Sequence, residues 1–208
     1  RIRTDKPSQA IISAANSSRD NEFLVFLGAN TIDIYDKGVL NRFTNLPTLN
    51  NSLWHDIAIA RDFARNGHWL FIDGESYGFQ PVGVSTTTLA VGSGGFVIGQ
   101  DQDELGGNYS TTQSFVGDVD ELRVWDGFWR CCPGVEQEEA EIREQVLRCQ
   151  GKTLDGDEPN LRAYYKFDEA DGDVAVDGAG PGYAVIQAEG VRARPAGEVV
   201  DVGKRAAE

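Results

Sequence analysis

Oxygen-bearing side chains that suit a metal occur in three separate stretches of the chain. They are Asp20 and Asn21, then Asp101, Gln102 and Asp103, and finally Gln113. Calcium is a hard cation that takes six to eight oxygen ligands, which carboxylates and amide carbonyls on loops commonly supply. Because the set contains neither cysteine nor histidine, it favours calcium over zinc or copper. Each stretch alone is also typical of a solvated turn or an acidic loop, so the prediction requires a fold that brings all three together.

The charge balance excludes two classes of partner. The chain has 208 residues, of which 40% are hydrophobic and 25% charged, as is typical of a folded domain. Its 19 Lys and Arg residues face 33 Asp and Glu residues, which gives a formal net charge of -14. Such a surface opposes the phosphate neutralisation that drives nucleic-acid binding, and anionic membranes repel it. No stretch reaches the apolar length of a membrane span, so we expect no nucleic-acid binding and no membrane insertion.

Cysteines and glycosylation motifs favour an extracellular setting. The cysteines are Cys131, Cys132 and Cys149, and the adjacent pair is poorly placed to bridge itself. We therefore expect at most one internal disulfide, with the third thiol free or paired outside the chain. Candidate N-glycosylation motifs begin at Asn16, Asn50 and Asn108. The chain starts at Arg1 without a signal-peptide pattern, so we expect a piece of a longer secreted or cell-surface protein.

Short runs rich in Val, Ile, Phe, Trp and Thr predict antiparallel strands up to Asp126. Turn residues separate the runs, and Asp73-Gly74 is a strong hairpin signal. The candidate strands are Ala10 to Ala15, Phe23 to Leu27, Thr31 to Tyr35, Trp54 to Arg61, His68 to Asp73, Phe96 to Gln100 and Phe115 to Trp125. Because each sheet must bury one apolar face against another, the sequence predicts an all-β fold, a two-sheet antiparallel β-sandwich.

One amphipathic helix is predicted over residues 135–149. Its apolar face carries Val135, Ile142, Val146 and Cys149, and Gly151 follows its end. Residues 1–150 are thus expected to form one domain, followed by a polar linker over residues 151–160. Residues 161–208 hold two further strand patterns and a loose tail from Arg192. They either open a second repeat or supply strands that complete the first domain.

Two segments together resemble the pentraxin and laminin-G-like family of jelly-roll domains. The first runs from Arg19 to Phe26 and contains the acidic turn Asp20-Asn21-Glu22. The second is Ile98-Gly99-Gln100-Asp101-Gln102-Asp103-Glu104-Leu105-Gly106-Gly107-Asn108, followed by Gln113-Ser114-Phe115-Val116-Gly117-Asp118-Val119 and by Val124-Trp125-Asp126. The resemblance covers Ala10 to Gln150 and implies a jelly roll whose N-terminal strands lie before Arg1. Tyr164 to Glu169 is similar to the opening of another laminin-G-like repeat.

The resemblance also implies how each residue would bind calcium. Asp20, Asn21 and Gln113 would bind through side-chain oxygens and Gln102 through its backbone carbonyl, while Asp101 and Asp103 would bridge toward a second ion. Where pentraxins carry a further acidic ligand this chain has Ser110, so we expect one calcium ion. Asn108 lies in the same loop, where a glycan could obstruct a ligand.

The function that the resemblance implies is calcium-dependent binding or adhesion outside the cell. We expect glycans or extracellular proteins as ligands, with neighbouring domains in the same parent chain. The alternative is a purely structural repeat in an extracellular assembly.

A glycoside hydrolase is the third hypothesis, because jelly rolls also support such enzymes. These enzymes need two suitably spaced carboxylates, and Asp118-Val119-Asp120-Glu121 is the one comparable cluster in the sequence. It lies where laminin-G-like domains have a structural turn. No P-loop, dinucleotide fingerprint or Ser-His-Asp signature is visible, so we expect no enzyme activity.

Overall fold

Antiparallel strands make up nearly all of the regular structure. A computed structural model describes residues 1–63, 65–81, 88–92, 95–126, 139–149, 151–169, 174–179, 183–185 and 200–202. These residues form eighteen strands in several antiparallel sheets and one helix. The predicted all-β fold with a single helix is therefore confirmed.

The elements follow one another along the chain with short connections. They are β1 (Ile2–Arg3), β2 (Gln9–Asn16), β3 (Arg19–Leu27), β4 (Ile32–Asp36), β5 (Val39–Phe43), β6 (Trp54–His55), β7 (Ile57–Asp62), β8 (Gly67–Ile72), β9 (Glu75–Pro81), β10 (Phe96–Ile98), β11 (Gln102–Glu104), β12 (Gly107–Tyr109), β13 (Gly117–Val119), β14 (Leu122–Trp125), α1 (Glu139–Cys149), β15 (Leu161–Tyr165), β16 (Val174–Val176), β17 (Tyr183–Val185) and β18 (Val200–Val202).

The largest sheet supplies the strands that carry the candidate site. Its five strands are ordered β10-β2-β3-β4-β5. β2 and β3 form a long hairpin in which Asn16 pairs with Arg19 beside the turn, and β10 pairs with the other edge of β2. Val25 and Leu27 of β3 and Ile32 and Ile34 of β4 are fully buried, because alternate residues of a strand face the same layer.

A second layer closes the core. β8 is buried along its whole length between β7 and β9, and its Leu70 and Ile72 pack in one cluster with the apolar residues of the five-stranded sheet. Burying one such aliphatic side chain contributes roughly 1.5–3 kcal/mol. Asp73 and Gly74 form the turn between β8 and β9 with φ angles of 52° and 80°. Positive φ at both positions is the geometry of a type I′ hairpin, as the Asp-Gly pair predicts.

Two predicted strands are each interrupted. The run from Trp54 to Arg61 divides at Asp56, whose backbone N–H donates to Asp73 Oδ1 at 2.8 Å. The run from Phe115 to Trp125 divides around Glu121, which has a φ of 53°. A left-handed residue ends strand geometry, and the apolar residues on either side give no sign of it.

Two strands, β5 and β9, are absent from the predicted set. β9 contains Gly78 and ends at Pro81, and both residue types are disfavoured in strands. β5 follows β4 through the turn Lys37-Gly38, with φ angles of 52° and 80°. Both strands exist because a tight turn returns the chain along a strong neighbouring strand.

The helix packs on the outer face of β8 and β9. Val146 lies against Trp69 and Phe71, and the Arg143 guanidinium donates to the Gly74 carbonyl at 3.1 Å. The predicted start at Val135 lies outside the described residues, as does the side chain of Ile142. Val146 and Cys149 are both 8% exposed, as expected for the apolar face.

The segment after the helix pairs with the preceding strands. β15 lies antiparallel to β14, and Tyr165 and Phe167 belong to the main core cluster. Within the predicted polar linker, Leu154 is 3% exposed and packs against Leu161. Within the predicted tail, β18 pairs with β13. No helix among the described residues is long and apolar enough to cross a membrane.

Candidate metal site

Three segments that are distant in sequence meet beside β2 and β3. Asp20 and Asn21 lie at the start of β3, and β11, which begins at Gln102, contacts both β2 and β3. The backbone N–H of Ala10 donates to the Gln113 carbonyl at 2.8 Å, which holds the third segment against β2. The hairpin of β2 and β3 thus serves as the platform on which the other two segments rest.

Asp101 is the buried centre of this arrangement. Its side chain is largely enclosed, with the residue 6% exposed. Its Oδ2 accepts a hydrogen bond from Gln113 Nε2 at 3.2 Å, whereas Oδ1 is buried and has no hydrogen-bond partner. Buried carboxylate oxygens are normally paired, so an unpartnered one marks a place where a donor or a cation fits.

Asn21 presents a second oxygen of the same kind. Its Nδ2 donates to Asp20 Oδ2 at 3.2 Å, and this bond fixes which end of the amide is nitrogen. Its Oδ1 is buried without a hydrogen-bond partner. The Asp-Asn pair on β3 therefore offers an acceptor that the described residues leave unsatisfied.

The electrostatics confirm that the carboxylates lie near one another. Burial raises the pKa of Asp101, and the negative charges of Asp103 and Asp20 raise it further. The hydrogen bond from the Gln102 backbone N–H lowers this pKa but does not offset the other three effects. Asp20 and Asp103, which are 83 positions apart (103 minus 20), thus act on the same buried group.

The side chain of Gln102 has a structural role. It is fully buried; its Nε2 donates to Ser13 Oγ at 3.0 Å and to the Gly95 carbonyl at 2.8 Å. Its Oε1 accepts from the Gly106 N–H at 2.9 Å. Since the amide is fully used, Gln102 could contribute only its backbone carbonyl to a metal, which is the role that the resemblance implies.

Carboxylates alone do not form a complete coordination set. Among the described residues, no group of three or more His, Cys, Asp or Glu side chains is arranged so that it could hold a metal ion. Any ion bound here therefore needs the amide oxygens of Asn21 and Gln113 and the carbonyl of Gln102. Amide and carbonyl oxygens are ordinary calcium ligands, and they make the site unsuited to zinc.

One supporting residue is missed by the sequence analysis. Glu22 is 1% exposed and accepts hydrogen bonds from Arg19 at 2.6 Å, from Asn16 Nδ2 at 3.2 Å and from the Ala90 N–H at 2.7 Å. It fastens residues 88–92 to the start of β3, next to Asn21. Its position in an acidic triplet resembles a solvated turn, and only its inward register on β3 distinguishes it.

The predicted modification sites differ in their surroundings. Asn108 is exposed on β12, whereas Asn16 and Asn50 are half-buried. Cys149 is disulfide-bonded, and Cys131 and Cys132 lie outside the described residues. Which cysteine pairs with which stays a prediction.

The acidic cluster considered for hydrolysis is tied up in ion pairs. Asp118 accepts from Arg3 Nε at 2.6 Å, and Glu121 pairs with Arg123 and accepts from the Tyr164 hydroxyl at 2.8 Å. Carboxylates held in this way anchor β1 and β15. They have the surroundings of structural groups.

The largest cavity lies elsewhere. It has a volume of about 1110 Å³ and is lined mainly by apolar side chains of β7, β10 and β14, such as Ile59, Phe96 and Leu122. None of the six predicted calcium ligands is among the described residues that line it. The unpartnered oxygens, and not the cavity, therefore define the candidate site.

Comparisons with known proteins give a consistent family assignment. The sushi, von Willebrand factor type A, EGF and pentraxin domain-containing protein 1 of Rattus norvegicus is 35% identical over 114 residues, which are 54% of this chain and 3% of that protein. C-reactive protein of Xenopus laevis is 32% identical over 117 residues, covering 55% of this chain and 47% of that protein. The chain therefore spans less than half the length of either relative.

A solved structure shares the fold at low sequence identity. A Bacteroides ovatus protein to which carbohydrate binding has been ascribed matches with a TM-score of 0.56 and 18% identity, over 90% of this chain and 52% of that one. The Pentaxin family model matches residues 3–131, more than half of the 208 residues. This chain belongs to the pentaxin family, whose members include the pentraxins named above.

Proposed function

We propose that this pentraxin-family chain is a calcium-dependent binding module that acts outside the cell. The observation that carries the proposal is the pair of buried, unpartnered oxygens, Asn21 Oδ1 and Asp101 Oδ1. Each such oxygen costs about 1–3 kcal/mol when left unsatisfied. A bound cation would satisfy both oxygens and offset the repulsion between Asp101, Asp103 and Asp20.

The residues present fit one calcium ion. Asp20, Asn21, Asp101 and Asp103 would contribute side-chain oxygens, and Gln102 its backbone carbonyl. Gln113 now points its Nε2 at Asp101, so half a turn of its amide would present Oε1 instead. Bound calcium supplies open coordination positions that a hydroxyl, carboxylate or phosphate oxygen of a ligand can occupy.

We propose glycans or extracellular proteins as ligands and neighbouring domains of a parent protein as the context. The fold shared with a protein to which carbohydrate binding is ascribed supports the first part. A relative whose name combines pentraxin with sushi and EGF domains supports the second. We propose no enzymatic role, because Asp118 and Glu121 are held in ion pairs.

Calorimetric titration with calcium tests the metal site. The wild-type chain should bind one calcium ion, and Asp101→Asn should abolish binding because it removes the buried negative charge. Asp120→Asn is the matched control: burial also raises the pKa of Asp120, with Glu121 adding to the effect, but Asp120 is not among the six predicted ligands. Equal calcium heats in the wild type and in Asp101→Asn would refute the site.

A glycan array run with calcium and with a chelator tests the ligand class. Sugars retained only with calcium, and lost in Asp101→Asn, are the expected result. The alternative is a structural repeat in an extracellular assembly, supported by the multidomain relative. Calcium binding without any retained glycan would favour that alternative.

A further inference from the structure

The three glycosylation motifs differ in how the structure holds their amides. N-glycosylation attaches the sugar to Asn Nδ2 and adds a bulky, hydrated group at the surface. A folded protein accommodates it only where that nitrogen can project into solvent. The motifs at Asn16, Asn50 and Asn108 can therefore be ranked by their contacts.

Asn16 is held by its amide nitrogen. Its Nδ2 donates to the Ala90 carbonyl at 2.8 Å and to Glu22 Oε2 at 3.2 Å, and Glu22 is 1% exposed. A sugar on this nitrogen would displace residues 88–92 from the start of β3. The structure of the folded chain therefore disfavours a glycan at Asn16.

Asn50 is partly enclosed. It is half-buried, and its Oδ1 is buried without a hydrogen-bond partner. Its amide is thus turned toward the protein. This motif is less suited to carry a glycan than one on a projecting hairpin.

Asn108 lies on such a hairpin. β11 and β12 form a two-stranded sheet of their own, and the exposed residues 103–106 lead to the exposed Asn108 and Tyr109. Space around Asn108 is therefore open to solvent. Of the three motifs, it alone combines exposure with a position outside the packed sheets.

The register of this hairpin places Asn108 next to the candidate metal site. Gln102 pairs with Tyr109 and Glu104 pairs with Gly107, so Asp103 lies opposite Asn108. Residues opposite each other in antiparallel strands have Cβ atoms about 4.5–5.5 Å apart. The charge of Asp103 reaches the buried Asp101. A sugar on Asn108 would therefore stand beside the carboxylates of the site.

We propose that Asn108 carries an N-linked glycan that covers the β11–β12 hairpin and limits access to the calcium site by size. The steric part rests on the proposed function, since it concerns ligands of that site. A calcium ion or a small sugar passes beside a flexible glycan, whereas a macromolecule must displace it. The ligand range of the module then depends on whether Asn108 is glycosylated.

The test compares three forms of the chain secreted from eukaryotic cells. Ser110→Ala removes the motif and keeps Asn108, and Thr112→Ala is the matched control. Both variants lose the hydrogen bond between the Ser110 and Thr112 hydroxyls, which are 2.9 Å apart, but only Ser110→Ala loses the motif. Mass spectrometry measures glycan occupancy, and glutamyl endopeptidase cleavage after Glu104 measures access to the hairpin.

We expect a glycan on Asn108 in the wild type and in Thr112→Ala, none on Asn16, and severalfold faster cleavage after Glu104 in Ser110→Ala. An unmodified Asn108, or equal cleavage rates in all three forms, overturns the proposal. Neither readout uses calcium. Loss of calcium binding with the glycan in place would therefore overturn the proposed function and leave the glycan assignment standing.

Discussion

Asp101 is a carboxylate in an environment that disfavours its charge. Burial raises its pKa, and two neighbouring carboxylates raise it further. A raised pKa in the folded state means that stability from the protonated form is present below the unfolded pKa and is lost as the pH rises through the folded pKa. At neutral pH without metal, the ionised Asp101 therefore destabilises the fold.

We predict that Asp101→Asn stabilises the metal-free chain while removing its response to calcium. Asparagine keeps an oxygen for the bond from Gln113 Nε2 and has no charge to desolvate. Thermal unfolding in chelator at pH 7 should show a higher Tm for Asp101→Asn than for the wild type, and the difference should shrink as the pH falls through the raised pKa. Added calcium should raise the Tm of the wild type and of Asp120→Asn only. A lower Tm for Asp101→Asn in chelator would contradict this account of the buried charge.

Residue types and their order were enough to select the six candidate ligands, because calcium prefers oxygens and the motifs resemble those of a known family. The unpartnered state of Asn21 Oδ1 and Asp101 Oδ1 could not be predicted, since it depends on where the backbone places each donor. The same holds for Glu22 and the side chain of Gln102, which the sequence shows as exposed polar residues and the structure buries.

At the scale of elements, a buried charge cluster joins the two layers. Asp36 of β4 is 1% exposed and accepts from the Arg61 guanidinium of β7, with Nη2 3.2 Å from Oδ1. His68 of β8 places its Nε2 3.3 Å from Asp36 Oδ2. Burial acts to raise the pKa of Asp36, but hydrogen bonding and charge from His68 and Arg61 outweigh it, so the pKa is lowered.

We predict that Asp36→Asn destabilises the fold by about 3–5 kcal/mol at pH 7, because it leaves Arg61 buried without its counter-charge. A lowered folded pKa gives stability that is present above the unfolded pKa and lost as the pH falls through the folded value. Urea unfolding from pH 7 to pH 3 should therefore show the difference between wild type and variant narrowing below about pH 4.

Asp33→Asn is the control on the same strand. Asp33 pairs with Arg42, whose side chain is 53% exposed, so its loss should cost much less. Equal destabilisation by the two variants would show that the burial of the Asp36 cluster adds nothing.

Strand composition predicted most of the central strands, because Val, Ile and Phe runs between turn residues have few other stable arrangements. Strand limits were less predictable. The break at Asp56 depends on a hydrogen bond to Asp73, and the break at Glu121 on a left-handed φ. Neither feature has a hydrophobic pattern.

At the scale of the whole molecule, the segment after the helix shares the core of the first domain. Phe167 is 4% exposed within the main cluster, and β15 pairs with β14 along its length. Of the two arrangements expected from the sequence, we propose the one in which this segment completes the first domain. The sequence left both open because an alternating strand shows a buried face but not its partner.

We predict that Phe167→Ala lowers the stability of the whole domain by about 3–5 kcal/mol. The chain has 4 tryptophans, all between positions 54 and 129, so their fluorescence reports only on the part before the helix. That signal should unfold in one transition at lower denaturant in the variant. Val176→Ala is the control, since Val176 is 57% exposed. An unchanged tryptophan transition in Phe167→Ala would show an independently folding second unit.

The most direct test of the calcium site is a crystal structure of the chain grown with calcium. We expect one ion bound by Asn21 Oδ1 and Asp101 Oδ1 at about 2.3–2.6 Å, with the Gln113 amide turned to present its oxygen. Calcium-grown crystals in which that position holds no ion, or in which residue 21 and residue 101 bind different ions, would contradict a shared site.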